Sequence, residues 1–142
     1  MADYVTDGKI GIDLTATYAS TSAGSTSMFP VTVGTQVSTS NNGRYIFARA
    51  ESDIAAFDCV IFSTYADSAS LTPIIRANPV TTALAAATGY PMVGFAQNAI
   101  TSGQYGWIAL NGMVRVNLLI ACQPRVPLYT TATAGKLDDT TV

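Results

Sequence analysis

Asn-Gly occurs twice in this chain, at Asn42-Gly43 and Asn111-Gly112, and both steps lie between stretches that alternate apolar and polar residues. Asn-Gly is a favoured two-residue hairpin turn, because both positions tolerate a left-handed backbone. Alternation with period two is the signature of a half-buried strand. "VTVGTQVSTSNNGRYIFARA" therefore predicts two strands around Asn42-Gly43, and "GWIALNGMVRVNLLI" predicts two around Asn111-Gly112. Further short apolar runs follow the same spacing of about ten residues. They are Asp58 to Phe62, Leu71 to Ile75 (with Pro73 suggesting an edge), Met92 to Ile100 and Val126 to Tyr129, with a turn near Gly135. Helical periodicity is confined to Val80 to Thr88, where alanine favours a turn of helix that Gly89 and Pro91 would end. The pattern predicts an all-β fold, a small β-barrel or β-sandwich of short antiparallel strands with an extended N-terminal arm.

A turn at Asn111-Gly112 also sets register. Leu110 then faces Met113, Ala109 faces Val114, Ile108 faces Arg115, Trp107 faces Val116 and Tyr105 faces Leu118. Directly opposed residues share a face. Tyr105, Trp107, Val114, Val116 and Leu118 are thus the expected core anchors. A buried indole removes on the order of 200 Å² from water, and its N–H is expected to find an acceptor such as a backbone carbonyl. The opposite face is mixed, and Ile108, Leu110, Met113 and Arg115 are candidate contacts to a neighbouring subunit.

Residues 1–27 read as an arm, and residues 28–142 as the β-rich domain. "TATYASTSAGSTS" has no core periodicity, but Ile10, Ile12 and Leu14 alternate with Gly11, Asp13 and Thr15 just before it. Such an isolated strand either adds to the sheet edge of another chain or folds back on its own. Ile10, Ile12 and Leu14 are therefore also candidate subunit contacts, and removal of the arm is expected to weaken assembly while the domain still folds.

The residues available for chemistry are few. The chain has no histidine, the commonest general base and metal ligand. Glu51, Asp53 and Asp58 form the acidic cluster of the domain, but their spacing matches no calcium loop, and a solvated loop before a strand is expected. Asp138-Asp139 are expected to be exposed in a polar tail. Cys59 and Cys122 lack metal or redox spacing and read as two buried thiols. Gly103, Gly106 and Gly112 precede strands, so no helix dipole would hold a phosphate. No enzymatic activity, cofactor or metal is expected.

Charged residues make up 11% of the chain, against about 25% in ordinary proteins. A Ser/Thr/Asn/Gly surface is polar yet cheap to desolvate, which suits lasting contacts with other subunits. The seven lysines and arginines are scattered and the net charge is −2. Nucleic-acid binding needs clustered cations, so it is not expected. No run reaches the roughly 18 apolar residues of a membrane span. The run from Val116 to Cys122 is short and contains Asn117. The N-terminus shows no secretory pattern, and assembly in a cytoplasm is expected.

The succession "VGTQVSTSNNGRYIFARA", "DCVIF", "GFAQNAITSGQYGWIALNGMVRV" and "LYTTATAGKLDD" resembles the head decoration, or capsid cement, proteins of tailed bacteriophages. The matching stretches are Val33 to Val37, Arg44 to Ala50, Val93 to Leu110 and Leu128 to Asp139, with Gly94-Phe95-Ala96 at the family's G-x-A step. The resemblance runs from Met28 to the C-terminus and leaves the arm uncovered. It implies a non-enzymatic structural protein on the outer surface of a virion head. It further implies a homotrimer that stabilises the shell by bridging major capsid proteins. A receptor-binding or fibre-associated virion module is the alternative, and it would present an aromatic or amide-lined pocket.

Overall fold

The computed structural model describes residues 12–19, 31–66, 73–88 and 92–140. Its strands are β1 (Gln36–Ser38), β2 (Arg44–Ala50), β3 (Cys59–Ala66), β4 (Pro73–Pro79), β5 (Val93–Ala96), β6 (Tyr105–Asn111), β7 (Tyr129–Thr130) and β8 (Leu137–Asp138). One short helix, α1 (Thr82–Thr88), lies between β4 and β5. Thr81 caps it, accepting a hydrogen bond from the Leu84 N–H. Gly89 and Pro91, the expected stop, lie outside the described residues, as do Ile10 and the start of the Leu71 run.

Five strands close into a barrel in the order β2-β4-β3-β5-β6, with β6 pairing back onto β2. The barrel is mixed rather than wholly antiparallel. β2 and β4 run parallel through Arg49 opposite Arg76 and Ala50 opposite Ala77. β1 adds to the other half of that same β2 edge, through Gln36 to Ser38 against Ile46 to Arg44. Pro73 is not on an edge strand. It is the first residue of β4, which pairs with β3 along its length, and a strand start also tolerates proline.

A five-stranded barrel has a narrow lumen, and small residues make room in it. Its interior holds Ile46, Ala48, Ala50, Ile54, Val60, Phe62, Ala77, Ala96, Ile100 and Ile108. Two glycines are small for lack of space. A Cβ on Gly94 would lie 2.8 Å from Phe62 Cε2 and Ile108 Cγ2, and one on Gly106 would lie 2.8 Å from Ile100 Cδ1.

The outer wall carries two further apolar clusters. Leu14, Val37, Tyr45, Phe47, Trp107 and Ala109 form one, joined by Ile12, Tyr18, Tyr105 and Val114. Cys59, Ile61, Val80 and Leu137 form the other, covered by Leu84 and Ala85 of α1. Both faces of β2 are therefore buried. Residues 12–19 lie on their own chain, with Tyr18 and Tyr105 exchanging backbone hydrogen bonds of 2.8 Å in both directions.

The two Asn-Gly steps differ from expectation in instructive ways. At the first, the chain does reverse, but the connection runs from Thr39 to Gly43, since Ser38 opposes Arg44. Asn42 takes the left-handed backbone at φ 57°. At the second, the expected hairpin is absent. Both edges of β6 are already occupied, one by β2 over residues 44–49 and the other by β5 at Phe95 and Ala96. Residues 113–118 therefore cannot pair with β6. Gly112, at φ 105°, packs instead on the first step, where a Cβ would come within 2.7 Å of Gly43 Cα.

The faces of β6 are also reversed. Ile108, expected at a subunit contact, is fully buried inside the barrel, and Leu110 packs against that interior. Trp107 lies on the outer wall yet is only 2% exposed, because β1, the residue 12–19 segment and Val114 cover it. Its Nε1 has no acceptor among the described residues. The neighbouring β6 backbone is engaged in ladders on both edges, and the ring instead packs 5.1 Å from Phe47.

Candidate functional site

Beyond β6 the chain forms an irregular ribbon, residues 113–128, pinned to the barrel by polar bonds. Gln97 clamps Arg115 on both sides: its Oε1 accepts from the Arg115 N–H at 3.0 Å, and its Nε2 donates to the Arg115 carbonyl at 3.1 Å. Two residues on, the Asn117 N–H donates to the Phe57 carbonyl, and its Nδ2 donates to the Ala56 carbonyl and to Asp58 Oδ1, each near 2.9 Å. Leu119 and Asn117 bond to Leu137 of β8 through the backbone. Ala121 and Arg125 hold left-handed φ of 75° and 65° without being glycine, a conformation that persists where surrounding bonds impose it. One such bond runs from the Gln123 N–H to Asp139 Oδ2.

The pinned backbone turns apolar side chains outward. Ile120 is 98% exposed and Met113 87%, and Leu118, Val126, Leu128 and Tyr129 are also exposed. Single exposed apolar residues are ordinary. Five within residues 113–128, with Met113, Leu118 and Ile120 set among its bonded positions, are the feature of this surface that most resembles a docking element. Beside it, Leu14, Tyr45, Phe57, Met113, Val114 and Arg115 line an open groove of about 1060 Å³. Two of the three amides lining this groove serve the fold: Gln97 holds Arg115, and Asn98 Nδ2 donates to the Leu14 carbonyl, while Asn41 is exposed.

Of the expected anchors, Tyr105, Trp107 and Val114 meet in one cluster. Val116 is half-buried elsewhere, and Leu118 is exposed and bridges to Leu137. Of the expected contacts, Leu14 is buried and Ile12 half-buried against the Trp107 cluster. Met113 and Arg115 are exposed, with the Arg115 guanidinium 5.6 Å from the Phe57 ring centre.

The acidic residues are staples more than solvated charges. Asp58 is buried, accepting from the Ala55 N–H through Oδ2 and from Asn117 through Oδ1. Asp138 and Asp139 are half-buried, not free in a polar tail. With Cys122 they bring three possible ligand atoms within 4.8 Å of one another. Those atoms already have partners: the Cys122 thiol donates to Asp138 Oδ1 at 3.4 Å, and Asp139 accepts from Gln123. Desolvation, then the bond to Asp138, pushes the Cys122 thiol above its ordinary range. The set acts as a clip between ribbon and β8.

Cys59 is 3% exposed, and burial, reinforced by the nearby Asp58 charge, pushes its thiol up to about 12. A raised thiol value stabilises the fold fully below the unfolded value of 9.0, and this contribution is lost as pH rises toward about 12. The free energy of unfolding measured by urea titration is therefore expected to fall between about pH 9 and 12, by at most about 1.4 kcal/mol per pH unit. Cys59→Ala is expected to flatten that decline, and an equal decline in both proteins would refute the assignment.

Comparison of the chain with protein-family models, with curated proteins and with solved structures gave no match.

Proposed function

We propose that this protein is a phage capsid decoration protein. It binds the outer surface of the head and stabilises the shell by bridging major capsid proteins, after assembly as a homotrimer in the host cytoplasm. The observation that carries the reading is the ribbon of residues 113–128, whose backbone is fixed to the barrel while Met113, Leu118 and Ile120 point outward. A prearranged apolar element loses little conformational freedom on docking. Repetition around a symmetric shell then multiplies modest individual contacts. The motif resemblance and the weakly charged composition support the same reading. A receptor-binding module is less well supported, since two of the groove's three amides, Gln97 and Asn98, already bond the chain itself.

The test is co-sedimentation with expanded capsids that lack the protein. Saturation is expected at copy numbers comparable to the major capsid protein, with decorated heads surviving higher temperature. Binding of a dozen copies or fewer per particle, or unchanged heat resistance, would refute the proposal. Specific glycan binding without capsid binding would favour the receptor module. Ile120→Asp is expected to reduce capsid affinity about tenfold or more by placing a charge in an apolar contact.

A further inference from the structure

The two Asn-Gly steps carry a chemistry that turn formation does not use. The backbone nitrogen of the next residue can attack an asparagine side-chain amide, and glycine, lacking a Cβ, hinders that approach least. The other asparagines are poorly placed for it. Asn78 precedes Pro79, which has no N–H. Asn41 is followed by the Asn42 N–H, which is bonded to the Thr39 carbonyl. The Asn98 amide donates to Leu14, and the Asn117 amide to Ala56 and Asp58. Asn42 and Asn111 are exposed, and neither side chain makes a hydrogen bond among the described residues.

The fold restrains the two backbones differently. Asn42 is left-handed at φ 57°, and its N–H donates to the Thr39 carbonyl at 3.2 Å. The Gly43 carbonyl accepts from the Thr39 N–H at 2.9 Å, and Gly43 is buried with Gly112 packed on it. Ring closure must swing the asparagine Cβ toward the next nitrogen about the Cα–C bond. A left-handed residue lies further from that arrangement than an extended one. Asn111 is extended, as the last residue of β6, opposite Arg44. Gly112 is exposed, and residues 112–114 make no backbone hydrogen bond among the described residues. The next attachment is the Gln97 clamp on Arg115. The Cα–C bond of Asn111 can therefore turn without breaking the barrel.

We infer that Asn111 is a self-modification site, at which the chain converts its own amide to an acid. The Gly112 nitrogen, deprotonated by hydroxide, attacks Asn111 Cγ. The new N–C bond closes a succinimide ring, and the bond from Cγ to the amide nitrogen breaks. Ammonia leaves, taking a proton from water and restoring the hydroxide. Water then opens the ring at either carbonyl, giving aspartate or isoaspartate. A negative charge appears opposite exposed Arg44, where opposite charges on paired strands attract. Isoaspartate also adds a methylene to the main chain just before the ribbon, shifting the ribbon against the barrel. This inference does not rest on the capsid reading.

The test incubates the folded protein at mildly alkaline pH. Peptide mapping by mass spectrometry follows amide-to-acid conversion, and enzymatic methylation labels isoaspartate. Conversion at Asn111 is expected to be about tenfold faster than at Asn42, where two turn hydrogen bonds resist the rotation. In urea the two rates are expected to converge, because both sites are then the same step in an open chain. Conversion in the folded protein that is equal at the two sites, or faster at Asn42, would overturn the assignment. So would a preference for Asn111 that persists undiminished in urea. Asn111→Gln is expected to abolish isoaspartate in its peptide, and label remaining there would place the reaction elsewhere. The Arg115 N–H and Gln97 amide NMR signals are expected to move in the isoaspartyl protein. They are expected to stay in place in Asn111→Asp, which gains the charge without the methylene. Signals unmoved in the first, or moved equally in both, would refute the ribbon shift. The experiment contains no capsid, so its failure leaves the decoration proposal standing.

Discussion

Gly135→Ala is expected to lower the free energy of unfolding by about 2–5 kcal/mol, the sum of a left-handed backbone penalty and forced overpacking. Gly135 sits at φ 75°, and its Cβ would fall 2.6 Å from each Asp58 carboxylate oxygen and nearer still to Cγ. Asp58 cannot move aside, because Ala55 and Asn117 hold both oxygens. The Gly135 backbone cannot move either, since its N–H donates to the Val80 carbonyl and its carbonyl accepts from the Cys59 N–H. Urea unfolding of Gly135→Ala beside Gly103→Ala isolates the steric part. Gly103 has a similar φ of 81°, but the nearest atom to its Cβ is 3.9 Å away. Gly103→Ala is expected to cost about 1–2 kcal/mol. Equal losses in the two variants would refute the packing of Asp58 against Gly135.

Phe47→Ala is expected to cost about 3–5 kcal/mol, a large share of the about 5–15 kcal/mol that holds an ordinary domain together. Phe47 is fully buried on the outer wall, with Tyr18 5.7 Å away edge-on, Tyr105 6.1 Å away and stacked, and Trp107 5.1 Å away at a tilt. Removing the ring empties the centre of that cluster and loosens the residue 12–19 segment over it. Ile120→Ala is the matched comparison. Ile120 is almost wholly exposed, so its loss is expected to change stability by no more than about 0.5 kcal/mol. A small loss at Phe47 would mean that the outer cluster is not part of the stability core.

Tyr18 and Leu14 bear on the arm in the same way. Because both pack with Phe47 and Trp107, removing residues 1–27 is expected to destabilise the domain as well as any assembly. The sequence alone suggested that the domain would fold unaided.

Most of the barrel strands and the single helix were legible because alternation and alanine content are local signals, but the strand expected after Gly112 is irregular chain and β8 was not foreseen. Strand partners were not legible. Asn111-Gly112 carries the chemistry of a hairpin turn, yet β2 matches β6 over six residue pairs and leaves no edge for residues 113–118. Alternation separated Trp107 from Ile108 correctly but does not say which side is the lumen. That depends on wall curvature, and the small residues Ala48, Ala50, Gly94 and Ala96 fit the narrow side. Polar staples were the least legible. Asp58, Gln97 and Asn117 each bond a partner far along the chain, Gln97 and Asn117 to backbone atoms and Asp58 to the Asn117 amide, and sequence spacing carries no trace of such partners. Asn117 offered one signal, as a lone amide inside the apolar run from Val116 to Cys122.

The stitch that Gly135 makes to Cys59 and Val80 has a temporal consequence. A nascent chain emerges from the ribosome at about 5–20 residues per second, and earlier segments must wait for later partners. Leu137 caps the cluster of Cys59, Ile61 and Val80, so that flank stays uncovered until residue 137 has been synthesised. During this interval a greasy flank faces the crowded cell, and mutations that slow the arrival of residues 131–138 would be felt first as aggregation rather than as loss of binding.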